Sequence, residues 1–424
     1  MARPFTALTL ALALSSPLLA ATRMTYAING TATPIEWAHA AFPLRYEIDQ
    51  RVVQASPNAK AMVDRAFAAW EAIPDADVRF ESGGVVANAS ARVVDRISVT
   101  MTDDLFRDQG AAAMTSYTYD VKTGKMLDAD IALDPSIFGG SINGQMALEH
   151  EVGHTLGLDH SAVLSSIMYP YVGSGTDSGS FDVDDRISIA NIYPKTDPML
   201  NGATLSGRVM GDNGGIFAAQ VVAVDAKGQP VGSVLTNASG EFTLAAIPAG
   251  HYRLYAEPLD GPVDTGALQG SWREAKAVSF PTEFFSSAVD VENGKVYGNL
   301  VLTTTGSIEL NPRWIGVSQV GAPDVSLSAS PATVRPGQSV TVTVGGDGFT
   351  SGMTRFEVMN PAFKRTSDFT WASNYVQATY TIDSAAPASS AVLVVTSGRE
   401  TAMLTGALRV HRPSGGGRSR AVGK

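Results

Sequence analysis

The chain has 424 residues, of which 44% are hydrophobic and 17% charged, with a formal net charge of -10 and no cysteine. That length suits two or three domains of ~100–200 residues each, and 41 glycines with 22 prolines stay below the level that marks disorder. The negative balance argues against nucleic acid or an anionic membrane as partner, and the lack of cysteine excludes disulfide bracing and thiolate metal ligands.

Residues 1–21 read as a signal peptide. Arg3 supplies the positive start, residues 5–14 the apolar stretch, and Leu18-Leu19-Ala20-Ala21 a small-residue cleavage site. Ser15, Ser16 and Pro17 interrupt a run already short of the ~20 apolar residues that cross a bilayer. An exported, extracellular chain without a transmembrane segment is therefore expected. Residues 22–35 form a short N-terminal segment, and the first globular unit is expected over 36–196. In it, residues 44–48 alternate as a half-buried strand. Ser56-Pro57 predicts a helix start, and Met62, Ala66, Phe67, Trp70 and Ile73 repeat at helical spacing until Pro74. Residues 78–81 and 97–101 alternate as strands, and 115–120 pairs with 126–133 through Lys122-Thr123-Gly124-Lys125.

The next stretch carries chemistry. It reads His150-Glu151-Val152-Gly153-His154-Thr155-Leu156-Gly157-Leu158-Asp159-His160-Ser161. On a helix, His150 and His154 project from one face a turn apart. Two neutral imidazoles so placed can hold zinc at roughly 2.0–2.1 Å. Glu151 stands beside the first ligand, close enough to take a proton from water without ligating. Gly157 can leave the helix through a left-handed conformation and return His160 to the metal. Three nitrogens and an open position suit a catalytic zinc site rather than a structural one.

The pattern H-E-x-x-H-x-x-G-x-x-H, followed by Ser166-Ile167-Met168-Tyr169-Pro170, resembles the metzincin zinc proteases with their Met-turn. Ser161 after the third histidine and Met168-Tyr169-Pro170 at the turn narrow the resemblance to the matrixins. Pro170 stands where astacins and serralysins place a tyrosine. The resemblance implies an α+β zincin catalytic domain, a twisted sheet plus the active-site helix. It further implies zinc on His150, His154 and His160, Glu151 as catalytic base for attack of zinc-bound water, and Met168 as the apolar floor. The substrate would be a protein or peptide, paired antiparallel with an edge strand within residues 110–117. The run Asp184-Asp185-Arg186-Ile187 to Ile192-Tyr193 resembles the closing helix of matrixin domains, and capping alone accounts for its two aspartates.

Two departures from the family pattern matter. No histidine lies between His39 and His150, so a second zinc is not expected. With no cysteine, the thiol that keeps many matrixins latent has no counterpart. Calcium is a further cofactor that matrixins take. Asp120, Asp128, Asp130, Asp134, Asp177 and Asp182 offer oxygen ligands, though their spacing fits no calcium loop and turn chemistry explains such acids.

Beyond Pro194 short strands with turn signals take over. Residues 200–320 resemble the carboxypeptidase regulatory-like module, a non-catalytic β-sandwich, with strands near 205–209, 219–224, 236–244, 247–254, 299–302 and 307–310. Ala322-Pro323 looks like a linker into a second sandwich over 322–412. That sandwich resembles bacterial extracellular immunoglobulin-like domains, with strands near 325–329, 339–344, 355–359, 377–382 and 391–396. Residues 413–424 lack apolar residues to pack and read as disordered.

The leading function is a secreted zinc endopeptidase. The competing one is a surface adhesion protein with a vestigial protease domain, which would have no need of Glu151. Every candidate catalytic residue precedes Pro170, so the two sandwiches are expected to be dispensable for the chemistry and to reach a cell-surface or extracellular target.

Overall fold

The computed structural model describes residues 23–28, 31–89, 97–102, 111–140, 142–173, 181–196, 202–274, 278–322 and 325–412. The expected signal peptide, Asp177, Gly110, Pro323 and the 413–424 tail lie outside these residues. No helix among them is long and apolar enough to cross a membrane.

In chain order the first unit contains β1 (Thr25–Ile28), β2 (Thr31–Pro34), β3 (Leu44–Asp49), α1 (Gln50–Ala55), α2 (Ala59–Glu71), β4 (Phe80–Val86), β5 (Ile97–Met101), β6 (Ala113–Tyr119), β7 (Met126–Leu133), α3 (Gly144–Thr155) and α4 (Val183–Ile192). The main sheet runs β4-β3-β5-β7-β6. Its first four members are parallel, and β6 pairs antiparallel with β7 at the edge. The central strand β5 is covered on both faces, and every one of its residues is buried.

The helix expected from Ser56-Pro57 is α2, and a further short helix, α1, precedes it. Asp49 Oδ1 accepts from Arg51 N at 2.8 Å and starts α1 directly at the end of β3. Ser56 is then extended, as a residue before proline tends to be, so α2 begins only at Ala59. Val63, Ala66, Phe67 and Trp70 form its buried stripe, with Phe67 stacked on Tyr46 at 4.0 Å.

Residues 23–35 belong to the same body. Met24 is fully buried in the first core, its N–H donates to the Gly157 carbonyl at 3.0 Å, and Ile35 N donates back to Met24 O. Glu36 pairs with Arg23 and Lys125 and so ties this strap to the β6–β7 hairpin.

The second unit is a β-sandwich. Gln220–Asp225, Pro230–Leu235, Gly250–Glu257, Glu283–Phe284 and Val289–Val291 make one sheet. Ala203–Gly211, Gly214–Gly215, Glu241–Ile247 and Val296–Thr303 make the other. Pro230–Leu235 is buried throughout and shows no alternation, so periodicity gave no sign of it.

The third unit is a second sandwich. Asn311–Gln319, Ser339–Asp347, Tyr375–Ile382, Phe363–Arg365 and Thr370–Trp371 pack against Ala332–Val334, Glu400–Val410, Ser389–Ser397 and Arg355–Val358. Two corrections follow. The region assigned to the first sandwich up to residue 320 ends too late, because Asn311–Gln319 pairs with Ser339–Asp347, placing Ile315 beside Val344 and Val317 beside Val342. Residues 325–329 are not a strand but return alongside it, through a bridge between Ile315 and Ser328. The 11-residue strand Glu400–Val410 went unread because Thr405-Gly406 breaks its apolar run.

The units share their cores. Ile187 of α4 sits in the apolar cluster of the first sandwich, and Leu164 and Tyr169, either side of Met168, sit in that of the second. Leu164 N donates to Thr405 O at 2.8 Å, and Tyr169 Oη donates to Ala329 O at 2.6 Å.

Candidate metal centre

The helix α3 starts where Asn143 Oδ1 accepts from Met146 N at 3.1 Å and is buried almost throughout. At its other end the chain must turn sharply. Leu156 N and Leu158 N both donate to Gly153 O, and Gly157 takes φ +91°, where a side chain would be strained. A Cβ there would also lie 2.4 Å from the Ile35 carbonyl of the strap. The last carbonyls of the helix find donors from outside. Trp37 Nε1 donates to Thr155 O at 2.7 Å, and Tyr193 Oη donates to Leu156 O at 2.9 Å.

This turn brings His160 back to His150 and His154. The three rings lie with centroids 4.6, 4.9 and 5.1 Å apart, and one nitrogen from each falls within a 4.8 Å group. His154 Nε2 and His160 Nε2 are 3.3 Å apart. Tetrahedral ligands at about 2.05 Å from one zinc ion stand about 3.3 Å from each other, so the donor set fits zinc. The other ring nitrogen is occupied in each case. His150 Nδ1 donates to Ile167 O and His154 Nδ1 to Leu158 O, both at 2.8 Å, and His160 Nδ1 donates to Ala267 O. Those bonds fix the tautomer that leaves Nε2 free as a ligand.

Burial, with the neighbouring imidazoles adding to it for His150 and His154, pushes all three histidines down, His150 to about 3. The rings are therefore neutral at neutral pH, the form a metal needs. Glu151 is also buried, and desolvation raises it to about 7 against the opposing bond from Thr115. Thr115 Oγ1, on edge strand β6, donates to Glu151 Oε2 at 2.6 Å and so aims the carboxylate.

Met168 packs against α3. A Cβ on Gly153 would meet its Sδ at 2.3 Å and Trp70 Cζ2 at 2.8 Å, so the thioether packs tightly on the helix between the histidines. The turn is held by Asp185, which accepts from Ile167 N at 2.9 Å, Asp182 N at 2.8 Å and Ser166 Oγ. The aspartates of α4 thus do more than cap it. Asp184 accepts from Ser161 Oγ at 3.0 Å and from Ser233 N of the first sandwich at 2.7 Å.

Among the described residues the histidines form the one metal-competent group of three. Several of the acids considered for calcium accept backbone hydrogen bonds. Asp120 accepts from Lys122 N, Asp134 from Ser136 N, Asp130 from Ser98 N, and Asp182 closes a capping box on α4.

Thr115, Trp37, Tyr193 and the Ala267 carbonyl escaped the sequence reading. They reach α3 through space, from a sheet edge, the two ends of the first unit and a distant loop. Only Tyr193 had a signal, as the residue closing the α4 pattern.

The arrangement sets three metal-competent imidazoles next to a buried carboxylate. Residues 36–194 match the family model described as Matrixin, and residues 204–262 match the one described as Carboxypeptidase regulatory-like domain. The chain therefore carries a matrixin domain, for which the metzincin fold is the family's own, followed by a carboxypeptidase regulatory-like domain. A protein of Trichoplusia ni ascovirus 2c named as a matrix metalloproteinase is 53% identical over 58 residues, 14% of this chain and 11% of its own. Matrilysin of Rattus norvegicus is 44% identical over 55 residues, 13% of this chain and 21% of its own. The chain thus spans less than a quarter of these relatives' lengths. Among solved structures, a minor pilin of Streptococcus agalactiae aligns over 28% of this chain and 49% of its own at 12% identity and a TM-score of 0.18.

Proposed function

We propose that this protein is a secreted zinc metalloendopeptidase whose centre is His150, His154 and His160 with Glu151 as the catalytic base. The observation that carries it is the convergence of three tautomer-fixed imidazoles beside a carboxylate held by the edge strand. The chemistry a zinc ion would supply there is Lewis acidity toward a scissile carbonyl. Glu151 Oε2, oriented by Thr115, accepts the proton of the attacking water and hands it to the leaving amine. Burial raises the Glu151 carboxyl, the direction that favours returning a proton once taken. Among the described residues β6 is the end strand of its sheet, which supports strand pairing as the mode of substrate capture. Met168 and Asp185 keep the floor of the cluster rigid. Export rests on the composition of residues 1–21, and the targets of the sandwiches are extracellular on that reading.

The test is hydrolysis of a peptide library, its loss to a zinc chelator and its return on adding zinc. Glu151→Gln is expected to keep its zinc and lose turnover by roughly 10²–10⁴-fold. Near-normal turnover in that variant would remove Glu151 from the mechanism.

A further inference from the structure

Two of the three histidines are oriented from inside the first unit, by Ile167 and Leu158. The third is oriented from the sandwich that follows it. His160 Nδ1 donates to the carbonyl of Ala267, 107 residues downstream. That carbonyl is presented by design of the local chain. Asp264 Oδ1 accepts from Gly266 N at 2.8 Å and caps the short 3-10 turn Thr265–Ala267. The last carbonyl of such a turn has no partner within it, and here it faces His160.

The loop is seated firmly. Leu268 and Trp272 are buried with Leu259, Ala218 and Leu235 of the same sandwich. Gln269 N donates to Asp159 Oδ2 at 2.9 Å, and Tyr117 Oη of the edge strand donates to Gln269 Oε1 at 3.2 Å. Trp272 Nε1 donates to Arg23 O at 3.2 Å, and Gly270, at φ +57°, passes so close to Thr25 O that a Cβ would not fit. Three bonds thus tie the loop to Asp159 beside His160, to the edge strand and to the strap.

We propose that the loop 264–272 of the carboxypeptidase regulatory-like unit is a built-in part of the metal centre, with the Ala267 carbonyl positioning His160 as a zinc ligand. The proposal rests on the zinc reading above. It reverses the expectation that the sandwiches are dispensable for the chemistry. Outer-shell partners of ligating histidines set ring orientation and basicity, and losing one costs ~10–100-fold in metal affinity or activity.

The test uses the full chain. Leu268→Ser with Trp272→Ala unseats the loop without touching a ligand. Zinc affinity, read by competition with a chelator, is expected to fall ~10–100-fold, and the visible spectrum of the cobalt-substituted protein is expected to shift with the altered third ligand. Unchanged affinity together with an unchanged cobalt spectrum would overturn the proposal while leaving the zinc reading intact. A second measurement needs no variant. In zinc-loaded wild type with nitrogen-15 histidine, the bonds of His150, His154 and His160 predict three ring N–H resonances protected from solvent exchange. Two protected resonances, with that of His160 exchanging freely, would overturn the proposal. A wild type that binds no zinc would overturn the zinc reading and this proposal with it.

Discussion

At the scale of single residues, the reach of Thr115 to Glu151 separates a carboxylate that is merely near the histidines from one that is aimed. Thr115→Val keeps the side-chain shape and removes the hydroxyl that donates to Oε2. The carboxylate then loses one hydrogen bond, worth about 1.4 kcal/mol on the usual scale, and kcat is expected to fall about tenfold with KM little changed. Unaltered kcat in the folded variant would mean that burial alone orients Glu151. The histidines themselves were legible because helical spacing is local: four residues fix one face, and a glycine fixes the turn that follows. The role of Thr115 was not legible, because its hydroxyl meets Glu151 through space, 36 residues along the chain.

Among the elements, α4 illustrates how a cap signal can hide a brace. Its aspartates satisfy every rule for a helix start, and that reading was sufficient from sequence. In the fold, the Asp185 carboxylate also holds Ile167 N and Ser166 Oγ, so the turn whose Ile167 carbonyl accepts from His150 hangs from this helix. Asp185→Ala is expected to leave buried N–H groups without acceptors, at about 1–3 kcal/mol each. Urea unfolding should lose on the order of 3 kcal/mol, and a loss under ~0.5 kcal/mol, the range of surface substitutions, would deny the helix that part. Other elements were legible according to how their burial was distributed. Alternating strands such as Leu44–Asp49 announced themselves, while the wholly buried Pro230–Leu235 did not. Asn311–Gln319 was not read as a strand and fell inside the bounds of the first sandwich, because a linker signal at Ala322-Pro323 is local and strand pairing is not.

For the whole molecule, the three units behave as one body with carboxyls locked inside it. Glu257 lies between the two sandwiches and accepts from Thr405 Oγ1 at 2.7 Å, and Thr405 in turn bonds Tyr255 Oη. Burial, with Asp260 nearby, raises it from 4.5 to about 8. An acid raised on folding favours the protonated folded state, so its stabilisation is full below about pH 4.5 and is lost as pH rises toward 8. The slope from one such group is at most about 1.4 kcal/mol per pH unit. Glu257→Gln keeps an acceptor for Thr405 and removes the titration. Its Tm is expected to exceed that of wild type at pH 8 and to vary less between pH 5 and 8. Parallel Tm profiles for the two proteins would show that Glu257 does not titrate in this window.

The bond from Trp272 to Arg23, which spans 249 residues, and the one from Ala267 to His160 also set an order in time. A chain is made and threaded from its N-terminus, and its early units fold first. The histidine motif is therefore finished long before the loop that embraces it. Contacts between such distant stretches close late. A half-emerged chain holds the motif but lacks the carbonyl beside His160 and the indole over the strap. On the function proposed above, a complete third ligand then arrives only with the finished molecule.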